Sequence, residues 1–116
     1  MKTEIIEGNK LIAESTFSDL VRGSSTDERY YIKSNGQQGY YTKLKYHSSW
    51  DWQIPVWSKI ALAVKTLIPK LKDAETNARW YFGLTRKYEN AVFENTPEAG
   101  QKIIVELIKW YKNNNQ

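Results

Sequence analysis

The 116-residue sequence contains no cysteine, which excludes disulfide bridges and thiolate-held metals and fits a reducing cytoplasm. It contains one histidine, so any imidazole chemistry rests on His47 alone. No apolar run of about 18 residues occurs, and no membrane-spanning helix is expected. The opening MKTEIIEGNK lacks the apolar stretch of a secretory signal. A Gly-x-Ser-x-Gly elbow and a glycine-rich phosphate loop are both missing. There is no internal repeat and no long linker, so one domain over residues 1–116 is expected. Aromatic side chains are plentiful at 14%, with five Trp, eight Tyr and three Phe, enough to fill a small core.

Charge is unevenly spread within a net +4. Residues 1–28 hold three bases and six acids, residues 29–88 eleven bases and three acids, and residues 89–116 three bases and four acids. A basic middle between acidic ends suits an acidic protein face or nucleic acid. The basic residues are dispersed, which also suits an ordinary solvated surface.

Two readings compete at the start of the chain. Asn9 caps a helix reaching Val21, with Leu11, Ile12, Phe17, Leu20 and Val21 inward, or Gly8-Asn9 turns a hairpin between EIIE and KLIAE. RYYIK and YYTKLKY, separated by SNGQQG, predict a hairpin that places Tyr41, Lys43 and Lys45 on one strand face. Trp57, Ile60, Ala61, Val64, Leu67, Ile68 and Leu71 fall at helical spacing and define a central helix that Pro69 kinks or ends. The alternation in RWYFGLT and the run NAVFEN predict a second hairpin. Thr96, Pro97 and Glu98 mark the start of a last helix whose buried stripe is Gly100, Ile103, Ile104, Leu107, Ile108 and Tyr111. The expected fold is α+β: a small antiparallel sheet of about four strands on two or three helices, in the order α-ββ-α-ββ-α.

The stretch YHSSWDWQIP, Tyr46–Pro55, gathers the polar and aromatic residues that most invite a functional reading. A nucleophilic site needs a serine, a base and an orienting group that converge. His47 and Ser48 are chain neighbours, and neighbours on a strand face opposite ways. His47 and Asp51 also lack companion metal ligands at a recognisable spacing. The structural reading is a joint in which His47, Ser48, Trp50, Asp51 and Trp52 satisfy backbone groups and anchor a helix to the sheet. Pro55 sets the helix start, which capping by Asp51 or a start at Pro55 itself would accommodate. No catalytic residue, metal or cofactor is assigned.

EGNKLIAES, LKYHSSWDWQIPVWSKI and ELIKWYKNN resemble blocks of a group of small proteins from phages and prophages of Bacteroidetes hosts. Members of that group commonly read YHSSWDWLMPVVEKI; here Gln53-Ile54 replaces Leu-Met and Trp57-Ser58 replaces Val-Glu. The resemblance covers most of the chain, except the stretch between Ser15 and Tyr41, and transfers no functional residue. It implies a non-enzymatic protein acting in the host cytoplasm on host machinery. A specific form of that implication is an anti-CRISPR inhibitor of an RNA-guided nuclease of type VI-B, touching the nuclease, its guide RNA or both.

Two binding functions follow as expectations. The first is a host-protein binder that uses aromatic anchors. The alternative is a nucleic-acid accessory protein whose basic, aromatic sheet face carries Tyr41, Lys43, Lys45, Arg79, Tyr81, Arg86 and Lys87. An enzyme is the third and least supported reading. Nothing in the sequence sets the oligomeric state.

Overall fold

The structure is a computed structural model that describes residues 3–18, 20–22, 30–33, 38–40 and 44–115. Its elements are α1 (Thr3–Glu14), three short strands β1 (Leu20–Arg22), β2 (Tyr30–Lys33) and β3 (Gln38–Tyr40), then α2 (Trp50–Leu67), α3 (Ala74–Phe93) and α4 (Pro97–Asn114). The strands form an antiparallel meander in which Val21 pairs with Ile32 and Tyr31 with Gly39. The body of the protein is helical, so the expected α+β arrangement of helices on a four-stranded sheet is wrong. The described core side chains come from the helices and from residues 44–46.

The second hairpin is the main correction. RWYFGLT lies inside α3, and NAVFEN forms its last turn and the residues that close it. Ala74, Ala78, Tyr81, Leu84, Tyr88 and Ala91 repeat at helical spacing and face the interior, and that long stripe outweighs the brief alternation of Trp80, Phe82 and Leu84. At the N-terminus both readings miss the boundaries. Gly8 and Asn9 lie in the middle of α1, whose buried face is Ile5, Gly8, Asn9, Ile12 and Ala13. α1 stops where the Ser15 hydroxyl donates to the Ile12 carbonyl at 2.6 Å and the Ser18 hydroxyl to the Ala13 carbonyl at 2.7 Å.

The other two helices follow their patterns. α2 buries Gln53, Val56, Ile60 and Val64, then tightens into a 3₁₀ turn at Ile68–Lys70, where Pro69 cannot continue an α-helix. It begins at Trp50 with Ser49 as N-cap, earlier than capping by Asp51 would allow, so Pro55 lies inside the helix. α4 begins after Thr96 with Pro97 in its first turn. The Thr96 hydroxyl does not cap α4; it donates back to the Ala91 carbonyl at 3.2 Å. Asn95 takes a positive φ of 57°, and the Thr96 N–H reaches the Ala91 carbonyl at 2.8 Å, which closes α3 with a left-handed turn.

α4 is the hub and packs against α1, α2 and α3. Ile104, Leu107 and Ile108 are fully buried along it. Trp80 of α3 stacks on Trp110 of α4 with ring centroids 5.0 Å apart. The tryptophans expected to anchor α2 to a sheet join it to α3 and to the preceding turn. Trp57 stacks on Tyr88 at 3.8 Å, Trp50 meets Tyr88 edge-on at 6.2 Å, and Trp52 meets Tyr46 edge-on at 5.4 Å.

Tyr88 is buried, and its hydroxyl has no hydrogen-bond partner among the described residues. Burial raises its pKa above the ordinary tyrosine value. The folded state therefore holds this proton more tightly than the unfolded chain does. The associated stability is complete below about pH 10 and declines above it by about 1.4 kcal/mol per pH unit. Tyr88→Phe is expected to raise stability near neutral pH by about 1 kcal/mol, because it removes an unsatisfied buried hydroxyl. It should also remove this alkaline loss. Urea unfolding of both proteins at pH 7 and about pH 11 checks both signs.

Candidate functional site

The joint before α2 is held by three side-chain amides drawn from three helices. Leu44 and Tyr46 are buried, and the turn after them closes through the Ser48 and Ser49 N–H groups, which donate to the Lys45 carbonyl at 3.1 and 2.9 Å. Asn9 of α1 donates through Nδ2 to the Leu44 carbonyl at 3.3 Å and meets His47 Nδ1 at 2.8 Å. Gln101 of α4 donates through Nε2 to the Ile5 carbonyl at 3.1 Å and to Asn9 Oδ1 at 3.3 Å. Gln53 of α2 donates through Nε2 to the Tyr46 carbonyl at 2.6 Å and to the Pro97 carbonyl at 2.7 Å.

The hydrogen-bond chain orients every member. The Ile5 carbonyl requires the amino side of Gln101, so Asn9 must present its oxygen to that group and its amino group to Leu44 and His47. His47 Nδ1 is then an acceptor, which puts the ring proton on Nε2. Two glycines make room for the amides. A Cβ on Gly8 would collide with the Gln101 amide, and one on Gly100 would collide with the Gln53 Oε1 and lie 3.1 Å from the Tyr88 ring. Asn9, Gln53 and Gln101 are all at most 2% exposed.

This geometry holds a turn in place. The hydrogen bond of the half-buried imidazole is to Asn9, and it joins neither Ser48 nor Asp51 into a relay. Asp51 is exposed in the first turn of α2, where its charge favours the helix N-terminus. Trp50 Nε1 donates to Asn95 Oδ1 at 2.8 Å, tying the start of α2 to the α3–α4 turn. Among the described residues, no three His, Asp or Glu side chains converge on a possible metal site.

The seven expected surface residues do not form one sheet face. Tyr41 and Lys43 lie outside the described residues, and Lys45 is exposed in the turn before α2. Arg79, Tyr81, Arg86 and Lys87 are on α3. Arg79, Arg86 and Lys87 are exposed, whereas Tyr81 is turned inward and its hydroxyl donates to the Ala61 carbonyl at 3.3 Å. Tyr81 therefore offers no open stacking platform. Sequence reasoning missed Gln53 and Gln101 and gave Asn9 the wrong role. The usable signal was an amide at a core position of an apolar helical stripe, as in Gln53, Val56, Ile60 and Val64.

The site and fold together define a helical domain with a polar, internally latched joint. No protein-family model, curated protein or solved structure matches the chain. No described helix is long and apolar enough to cross a membrane.

Proposed function

We propose that the protein is a non-enzymatic binding domain that engages another protein through the outer face of α3. The observation that carries this reading is the exposure of Phe82 and Phe93, 67% and 92%. They are eleven positions apart, about three helical turns, and so lie on one face. Glu75, Arg79, Arg86 and Glu89 fall along the same face, and Arg79 pairs with Glu75 at 2.7 Å. The two signs balance there, so a phosphate backbone would release few counterions on binding. Aromatic anchors within mixed charge suit a protein surface better.

The resemblance to phage proteins directs this reading to host machinery in the bacterial cytoplasm, with the RNA-guided nuclease of a type VI-B system as the first target to assay. Purified protein is expected to inhibit RNA cleavage by that nuclease. It is also expected to retain a host protein from lysate after nucleic acid has been digested. Phe82→Asp/Phe93→Asp should weaken both effects at least tenfold, about 1.4 kcal/mol, while leaving the helical circular dichroism unchanged. Retention that disappears on nuclease treatment, or that ignores the double substitution, would overturn the α3 reading.

A nucleic-acid reading has its own surface. Lys59, Lys65, Lys70 and Lys72 are exposed along α2 and the turn after it, with no acid between Asp51 and Asp73. RNA binding that weakens steeply with salt and with Lys65→Glu/Lys70→Glu would favour it.

A further inference from the structure

A groove of about 490 Å³ lies between α1 and α4, away from the α3 face. The two helices run parallel: Gly8 meets Gln101 and Val105, and Phe17 meets Tyr111 edge-on at 5.3 Å. Gly8 lacks a side chain and Gln101 folds inward onto the Ile5 carbonyl, so the floor is low. Half-buried Leu11 and Val105 line its sides. The α1 wall adds Glu4 and Glu7, and the α4 wall adds Lys102 and Lys109. Glu106, the acid on this stretch of α4, does not line the groove.

One wall is therefore acidic and the other basic, and the two are parallel. A two-fold axis along the helices would set the acidic wall of one molecule over the basic wall of another, and the reverse. Such a pattern complements itself without needing a different partner. We propose that this groove is a self-association surface, closed by a second copy of the chain. In that pairing Glu7 faces Lys102 of the second copy, and Leu11 and Val105 of both copies meet in the middle. Because Leu11 and Val105 are already half-buried, the apolar gain is small and the charges govern register and strength.

Sedimentation equilibrium of the full chain from micromolar to millimolar concentration tests the proposal. A concentration-dependent rise to twice the monomer mass is expected, weakened by added salt. Glu7→Lys should raise the dissociation constant at least tenfold, and so should Lys102→Glu. The exchanged double variant Glu7→Lys/Lys102→Glu should recover most of the affinity, since it restores opposite charges across the axis. Both residues are exposed, so neither substitution threatens folding. Phe82→Asp/Phe93→Asp should leave the dimer intact, which separates this surface from the α3 face. A monomer throughout the range, or a dimer indifferent to the charge reversals, would overturn the proposal.

Discussion

Ile104→Ala is expected to lower the unfolding free energy by about 2–5 kcal/mol, a large share of the roughly 5–15 kcal/mol available to a domain of this kind. Ile104 is 0% exposed and sits on the helix against which the other three pack. Truncation there removes buried methyl groups at a point where the surrounding elements cannot all move inward together, so a cavity persists. With a urea dependence of about 1–3 kcal/mol per molar, the midpoint should fall by at least about 0.7 M. Ile104→Val, which removes one methyl group, should cost only about 0.5–1.5 kcal/mol. Equal, small losses for both variants would show that α4 is not the centre of the core.

Gln53→Ala is expected to cost about 3 kcal/mol by a different route. The Nε2 group supplies the side-chain donor to two carbonyls from separate parts of the chain, Tyr46 and Pro97. The buried Tyr46 carbonyl loses its side-chain donor, which costs about 1–3 kcal/mol, and the Pro97 carbonyl, which α4 also satisfies from within, loses a second bond worth about 1 kcal/mol. Part of that is recovered, because Gln53 Oε1 has no partner among the described residues and its burial penalty leaves with it. The loss should be local as well as global. Hydrogen exchange at the Ser48 and Ser49 N–H groups, which close the turn onto Lys45, should quicken more than exchange at the centre of α4. A global loss with an unchanged ratio between those sites would mean that Gln53 fills space without holding the joint.

Much of α2 and α4 was legible, because each has a long apolar repeat and a recognisable boundary signal. Pro69 marks the end of α2, and Thr96-Pro97 the start of α4. α3 was misread because Arg79-Trp80-Tyr81-Phe82 is locally the most strand-like stretch of the second half. Only its inner face, from Ala74 to Ala91, reveals the helix, and that face matters once α2 and α4 exist to cover it. The sequence reading gave the joint to His47, Ser48, Asp51 and the tryptophans against a sheet, whereas the amides of Asn9 and Gln53 that bond its carbonyls were not legible. Asn9 and Gln101 are separated by 92 positions and Gln53 and Pro97 by 44, and no local pattern links them. Amides in a core stripe announce that some partner exists without naming it.

The position of α4 in chain order bears on biosynthesis. The three helices that it brings together all precede it, so a nascent polypeptide extending only to Phe93 has made its apolar faces but not the element that covers them. Translation must pass Ile108 before the interior can close. Until then the chain shows chaperones and proteases a set of sticky helices whose α4-facing surfaces are uncovered. A ribosome stalled in the α3–α4 turn is therefore expected to carry a protease-sensitive product, and release of α4 from the exit tunnel to convert it into a resistant one.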